Sequence, residues 1–168
     1  MKKALMTHLT DDFKQAMRRL ATTIAIVTAG KGDSCTGMAA TAVMSVTADP
    51  PTLIVAVNRS ASIAAFMVEE EEFCVNLLAA RHQHLVGVFS GQKKGRERFE
   101  TGDWRFDPER PPVLSDAATS MMCRKSGAIE MSTHILYTGE VTGILNHPDI
   151  DPLVWVDGAF AAASRLKD

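Results

Sequence analysis

The sequence has few cysteines and no strong excess of either charge, and each of these features excludes a class of protein. Its three cysteines are far apart in the chain, so they form neither a disulfide framework nor a Cys-x-x-Cys motif. A formal net charge of −2 provides no basic surface for nucleic acid or for an anionic membrane. We therefore expect no nucleic acid or membrane partner, and reduced thiols are typical of the cytoplasm.

Long apolar runs are also missing from the sequence. No segment approaches the roughly 18 apolar residues of a transmembrane helix, and the N-terminus lacks the apolar core of a signal peptide. The chain has 168 residues, 46% of them apolar, which is enough for one domain with a single core. We therefore expect one soluble, unexported, cytoplasmic domain over residues 1–168.

The order of the predicted elements favours a mainly β protein. Phe13, Met17 and Leu20 recur at helical spacing behind the capping candidates Thr10 and Asp11, which predicts one amphipathic helix. Apolar and β-branched segments predict strands. Two further segments predict short helices, and Ser60 or Ser62 would cap the first of these helices. The strands are 22–30, 38–48, 52–58 and 73–79, and the short helices are 60–72 and 80–91.

The rest of the chain divides into a loop and more strands. Residues 92–117 follow neither the helical nor the strand period, but they are too apolar for a disordered linker, so they predict an ordered surface loop. Residues 120–147 and 153–160 alternate well enough for two or three antiparallel strands. Because the helices are short insertions between strands, a closed or nearly closed antiparallel barrel is favoured over a parallel sheet.

Several motifs have simple structural interpretations. The glycine-rich run 30–37 departs from a dinucleotide fingerprint, since Cys35 stands at the third glycine position, and it predicts a hairpin turn. His82 and His84 are two residues apart on a predicted helix, so they are interpreted as solvated histidines and no metal site is expected. The acidic run 69–72 is interpreted as a solvated helix end.

Two segments suggest ligand binding. In an extended strand Thr41, Ser45 and Thr47 would share one face, with Ala40, Ala42 and Val46 on the other, which gives an uncharged surface carrying hydroxyl groups. The segment 58–62, "NRSAS", ends a strand with an amide, a guanidinium and two hydroxyls where a helix begins, as in phosphate sites. Each alone is equally compatible with a structural turn. Together they suggest a slot for a flat ring beside a phosphate anchor.

The segment "GMAATAVMSVTADPPTLIVAVNRSAS", followed by "FCVNLL", "FSG", "RF" and "STH", resembles the flavin reductase family over about residues 11–160. The family consists of small FMN-binding split-barrel proteins that serve as reductase components of two-component flavin-dependent monooxygenases. The resemblance implies a homodimer of six-stranded antiparallel Greek-key barrels, with a few short helices, that binds FMN or FAD near the subunit boundary. NADH or NADPH would donate the hydride, and a partner oxygenase would receive the reduced flavin.

The resemblance also implies where the site residues lie. The flavin ring would lie along the strand segment 40–46, its ribityl phosphate would meet the segment 58–62, and the segment 89–91 would close over it. The implied cofactor-binding residues are Ala40, Thr41, Ala42, Val43, Ser45, Val46, Asn58, Arg59, Ser60, Ser62, Phe89, Ser90 and Gly91. His134 is the candidate catalytic residue and, with Phe160, the candidate contact of the nicotinamide.

Two segments depart from the family pattern, at four positions. Ser132 stands where many members have glycine, and Gly158, Phe160 and Ala161 stand where they often have arginine, tyrosine and histidine. Phe160 can stack on a ring but cannot form a hydrogen bond with a nicotinamide. On the resemblance as a whole, the leading hypothesis is an NAD(P)H:flavin oxidoreductase. Its alternatives are a non-catalytic FMN-binding or electron-transfer protein and, more distantly, a related split-barrel oxidase or a haem- or corrin-handling relative, the haem case with His134 as axial ligand.

Overall fold

The computed structural model describes residues 2–166, with side chains from His8 onward. Its α-helices are α1 (Lys2–Met17), α2 (Ala64–Glu69) and α3 (Gln83–Gly87), with 3-10 turns at Ala80–His82 and Gly95–Glu100 and a π turn at Val88–Gln92. The strands are β1 (Thr22–Thr23), β2 (Ala25–Lys31), β3 (Ser34–Ala40), β4 (Val43–Ala48), β5 (Pro51–Asn58), β6 (Glu72–Leu77), β7 (Trp104–Asp107), β8 (Arg110–Leu114), β9 (Thr119–Met131), β10 (His134–Asn146), β11 (Leu153–Val156) and β12 (Ala159–Ala162). No helix of these residues is long and apolar enough to cross a membrane.

Most strands form one antiparallel sheet that closes on itself. The order is β3-β2-β6-β9-β10-β5-β4, and every neighbouring pair is antiparallel. Only Thr41 and Ala42 separate β3 from β4, so the two edge strands are one bent strand that joins both edges of the sheet. Counted in this way the barrel has six strands, which removes the open edges. The prediction of a mainly β split barrel with a few short helices is confirmed.

The barrel encloses the first core, and α2 covers one of its ends. Val27, Val55 and Val75 fill the interior from three different strands, because alternate residues of a strand point to the same face. Ile63 and Met67, on the buried side of the α2 segment, belong to the same core as these valines. This side of the α2 segment is therefore apolar and belongs to the core.

A second core lies outside the barrel, and it corrects the prediction for residues 92–117. That segment contains a 3-10 turn and the β7–β8 hairpin, where a strandless loop was predicted. Phe99, Trp104 and Leu114 from the segment are buried in this second core, as their apolar character required. The strands escaped prediction because they are four and five residues long and because Pro111 and Pro112 interrupt the second.

The predicted helix caps are wrong. The helix α1 begins at Lys2, so Thr10 and Asp11 lie inside it, and Phe13 and Met17 on its surface are exposed in the single chain.

The N-cap of α2 is Ile63, whose side chain has no polar atom to cap the helix. The Ser60 hydroxyl donates to Asn58 Oδ1 instead, and Ser62 Oγ accepts from Arg98.

The histidine prediction is half right. His84 is exposed as expected, but His82 is buried at the end of a 3-10 turn. Its Nδ1 accepts a hydrogen bond from the Ala79 amide at 3.1 Å, and its Nε2 lies 3.1 Å from Oδ2 of Asp116. Burial lowers the pKa of His82, and the Asp116 carboxylate only partly opposes this.

Candidate functional site

The uncharged surface at 40–46 is a bend rather than one regular strand. The chain leaves β3 at Ala40 and enters β4 at Val43, and a register shift follows between Ser45 and Thr47. The predicted single face of Thr41, Ser45 and Thr47 is therefore wrong, since a bend and a bulge each interrupt the alternation. What remains is an exposed surface of small side chains along the seam where the barrel closes.

The end of β5 forms a tight polar turn. Oδ1 of Asn58 accepts hydrogen bonds from the amide and the hydroxyl of Ser60, at 2.9 and 2.8 Å. The Ala61 amide donates to the carbonyl oxygen of Asn58 at 3.0 Å. Asparagine favours such a turn because its short side chain can mimic a backbone carbonyl. The turn fixes the direction in which the following side chains leave the barrel.

Arg59 connects this turn to the β9–β10 hairpin. Its amide donates to Thr133 O at 2.9 Å, and its Nε donates to Ser132 O at 3.0 Å. Its Nη2 lies 3.1 Å from Oε2 of Glu130. The guanidinium is therefore held at the end of the barrel while remaining accessible to solvent.

His134 lies at the same end of the barrel. It is the first residue of β10 and the direct partner of Asn58 in the β5–β10 pairing. Its Nδ1 lies 2.9 Å from the Thr133 hydroxyl oxygen. The structure thus brings His134 together with the segment 58–60, although more than 70 residues separate them in sequence.

Arg98 is a residue whose role the sequence did not reveal. Its side chain is only 6% exposed, and Nη1 donates to Ser62 Oγ at 2.9 Å, to Thr36 Oγ1 at 3.1 Å and to Gly37 O at 2.5 Å. Nε donates to Lys93 O at 2.9 Å. All these acceptors are uncharged, and within residues 2–166 no carboxylate pairs with Arg98. The only sequence signal was the "RF" dipeptide of the resemblance.

A buried cation without an anion is energetically costly. Burial accordingly lowers the pKa of Arg98. Because Arg98 contacts Ser62, its charge lies beside the segment that the sequence assigned to a phosphate. An anion bound there would compensate the charge, so the residues present fit a phosphate group.

The segment 89–91 is divided between the core and the surface. Phe89 is buried, with its ring 5.3 Å from Phe99 and 5.2 Å from Trp104, so its side chain anchors the segment instead of facing solvent. Ser90 and Gly91 are exposed. Gly91 has a φ of 118°, a conformation that favours glycine.

Phe160 lies in a different sheet from His134. It belongs to β12 in the three-stranded sheet, its ring is 5.1 Å from Trp155, and both rings line a cavity of about 620 Å³ beside α3. Arg18 reaches the adjacent turn, where its Nε donates to Asp157 Oδ1 at 3.0 Å. A guanidinium is therefore present at this turn although the strand itself supplies none.

The part of the chain that the structure describes contains no group of three histidine, cysteine or acidic residues able to hold a metal ion. Its three cysteines are all free and buried.

Comparison with known proteins identifies several relatives. The family model described as flavin reductase like domain matches residues 17–164. The FMN reductase (NADH) RutF of Cronobacter sakazakii is 39% identical over 153 residues, which cover 91% of this chain and 92% of the relative.

Two solved structures have the same fold. The flavin reductase domain protein from Arthrobacter sp. FB24 is 26% identical, with a TM-score of 0.86, covering 95% of this chain and 98% of that one. BorF, the flavin reductase component of a bacterial two-component tryptophan halogenase, is 26% identical, with a TM-score of 0.83, covering 94% and 99%. Given the family match over almost its whole length, this chain belongs to the family of flavin reductase like domains.

Proposed function

We propose that this protein is an NADH-dependent flavin reductase that transfers a hydride from NADH to FMN. The observation that carries the proposal is the meeting of three features at one end of the barrel. Two were predicted, the polar turn after β5 and His134 at the start of β10, and the third is the buried cation of Arg98 on Ser62. The name of the Cronobacter relative supports the choice of FMN and NADH. FAD and NADPH are the alternatives to be tested.

The bend would hold the flavin ring. Small side chains let a flat ring approach the backbone. An uncharged surface has no charged group that would pair with the polar edge of the ring. The residues assigned to the ring are Ala40, Thr41, Ala42, Val43, Ser45 and Val46. Ser90 and Gly91 would close over it, with Phe89 as their buried anchor.

The turn after β5 would hold the ribityl phosphate. Asn58, Ser60 and Ser62 supply polar groups, and Arg59 and Arg98 supply positive charge. The helix α2 has only six residues, so this assignment depends on the side chains and not on a helix dipole. Charge-assisted hydrogen bonds from guanidinium groups are well suited to phosphate oxygens.

His134 would orient the nicotinamide. When bound, the flavin accepts the hydride directly, so the protein contributes position and electrostatics. His134 touches Thr133, which keeps its ring at the barrel end beside Asn58. Phe160 would contribute stacking from β12.

The test is anaerobic mixing of the purified protein with FMN or FAD and with NADH or NADPH. We expect the absorbance of oxidised flavin to disappear fastest with FMN and NADH, over many turnovers. A protein that leaves every flavin oxidised with both nucleotides would contradict the proposed activity.

A non-catalytic flavoprotein is the second candidate, and the position of Phe160 favours it. Phe160 has no hydroxyl group, and it lies in another sheet from His134. Such a protein would retain FMN through gel filtration and would not oxidise NADH. Loose flavin with multiple turnovers would exclude it.

We further propose that the protein is a cytoplasmic, single-domain homodimer that supplies a monooxygenase. Met44 and Val46 on β4 and Ile129 and Met131 on β9 are exposed apolar residues that a second copy would cover. The role of BorF as a component of a two-component enzyme supports the partner. Light scattering would measure the mass, and pull-down with a flavin-dependent monooxygenase would test the partner.

A further inference from the structure

Arg59 carries an ion pair that a phosphate ligand would have to share. Nη2 of Arg59 lies 3.1 Å from Oε2 of Glu130, and the two side chains are 41% and 79% exposed. Neither residue forms another ion pair within residues 2–166. Lys125, on the same strand as Glu130, donates to the carbonyl oxygens of Met67 and Val68 at 2.8 and 2.9 Å, so its ammonium is held at the end of α2.

The Arg59 guanidinium is held in place, but not all of its nitrogen atoms have a hydrogen-bond acceptor in the described part of the chain. Nε donates to Ser132 O at 3.0 Å, which holds the guanidinium at the β9–β10 turn. In the described part of the chain, no acceptor bonds to Nη1. A phosphate oxygen can therefore reach Nη1 while Nη2 stays beside Glu130. Two anions would then lie around one cation.

We propose that Glu130 is a positioning residue that competes with the flavin phosphate for Arg59 and thereby weakens FMN binding. The proposal rests on the proposed function, and within it on Arg59 as a phosphate contact. The carboxylate neutralises part of the positive charge that Arg59 would offer to the phosphate. A reductase that hands its flavin to another enzyme needs fast release, and affinity differences between related complexes are mostly differences in dissociation rate.

The expected change in the Kd of FMN follows from the solvent exposure of the Arg59–Glu130 ion pair. Ion pairs between exposed side chains change equilibria by about 1.5- to 5-fold, because solvent screens them. Removing the charge of Glu130 should therefore lower the Kd of FMN by about 2- to 5-fold. Riboflavin has no phosphate, so its Kd should not change. The difference in the Kd of FMN between Glu130→Gln and the wild type should shrink as ionic strength rises.

A matched control is present in the chain. Glu109 is 78% exposed and pairs with Lys31 at 3.6 Å in the β7–β8 hairpin, away from the proposed site. Glu109→Gln removes the same charge from the same kind of pair. It should leave the Kd of both FMN and riboflavin unchanged.

The experiment measures the Kd of FMN and of riboflavin by flavin fluorescence quenching for five proteins. These are the wild type, Glu130→Gln, Glu109→Gln, Arg59→Ala and the double variant of Glu130 and Arg59. We expect Glu130→Gln to tighten FMN alone, Arg59→Ala to weaken it, and Glu130→Gln to have no effect in the Arg59→Ala background.

The possible failures can be told apart. If Arg59→Ala weakens FMN binding but Glu130→Gln does not tighten it, the competition is overturned while the phosphate site stands. If Glu130→Gln tightens FMN and riboflavin equally, its effect is structural and the proposal is overturned. If Arg59→Ala leaves FMN binding unchanged, the phosphate assignment of the proposed function fails together with the competition.

Discussion

Ser132 is strained, and replacing it with glycine should stabilise the protein. Its φ is 48°, in the left-handed region, and it lies in the turn between β9 and β10. A side chain in this conformation costs about 1–2 kcal/mol. The side chain is exposed and its hydroxyl makes no hydrogen bond in the described structure, so its removal loses no contact.

Glycine also loses more backbone freedom on folding, about 0.5–1 kcal/mol. The net gain for Ser132→Gly is therefore about 0.5–1 kcal/mol of unfolding free energy. For a domain of this size the gain corresponds to a rise of about 1–4 °C in Tm. Differential scanning calorimetry measures the Tm, and urea unfolding gives the free energy.

Ser34→Gly is the matched control. Ser34 is also exposed, but it begins β3 without a positive φ, so glycine there should destabilise the protein by about 0.5–1 kcal/mol. The affinity for FMN should not change in Ser132→Gly, because Ser132 contacts Arg59 through its backbone carbonyl oxygen. A Tm for Ser132→Gly at or below that of the wild type would refute the reasoning from strain.

Three further substitutions test other parts of the structure. Ala42→Phe should raise the Kd of FMN at least about tenfold by covering the bend, with little change in Tm because Ala42 is exposed. Arg98→Lys keeps the charge but loses the planar fork, so the Kd of FMN should rise about tenfold and that of riboflavin much less, in the same titration. Because burial lowers the pKa of His82, the unfolded chain binds a proton at a higher pH than the folded chain. Stability should therefore fall below about pH 6.5, by at most about 1.4 kcal/mol per pH unit, and His82→Gln should remove that part of the slope in urea unfolding.

Each of these predictions has an outcome that contradicts it. Unchanged FMN binding in Ala42→Phe would place the ring elsewhere. Equal losses of FMN and riboflavin affinity in Arg98→Lys would mean that the arginine only supports the fold. A pH slope that is the same in His82→Gln and the wild type would mean that His82 does not titrate differently on folding.

The parts of the fold set by local chemistry were predictable from the sequence. The strand β5 is an uninterrupted apolar run that begins at a double proline, and the hairpin between β2 and β3 has glycines at its turn. The β7–β8 hairpin was missed because its stability comes from the second core and not from its own pattern. Only tertiary contacts, such as that of Trp104 with Phe89 at 5.2 Å, make it regular.

The candidate site also contains parts that local sequence predicts and parts that depend on tertiary contacts. The residues 58–62 were chosen for their chemistry at a strand end, and the structure confirms that they form a polar turn. Arg98 could not be placed, because its partners Thr36 and Ser62 lie far away in the sequence. His82 was misjudged for the same reason, since its partner Asp116 lies far later in the chain, in the turn between β8 and β9.

The location of the site follows from how the barrel closes. Closing six strands requires one strand to leave β2 and join β5, and the chain does so within Thr41 and Ala42. At this seam the ladder is interrupted, so side chains must be small, and the backbone is accessible to a ligand. The turn after β5 crosses the same end of the barrel, because Ser62 reaches Arg98, which in turn reaches Gly37 on β3. The surface proposed for a flat ring therefore lies at the seam where the sheet closes, and the cation proposed for its phosphate lies beside the turn after β5.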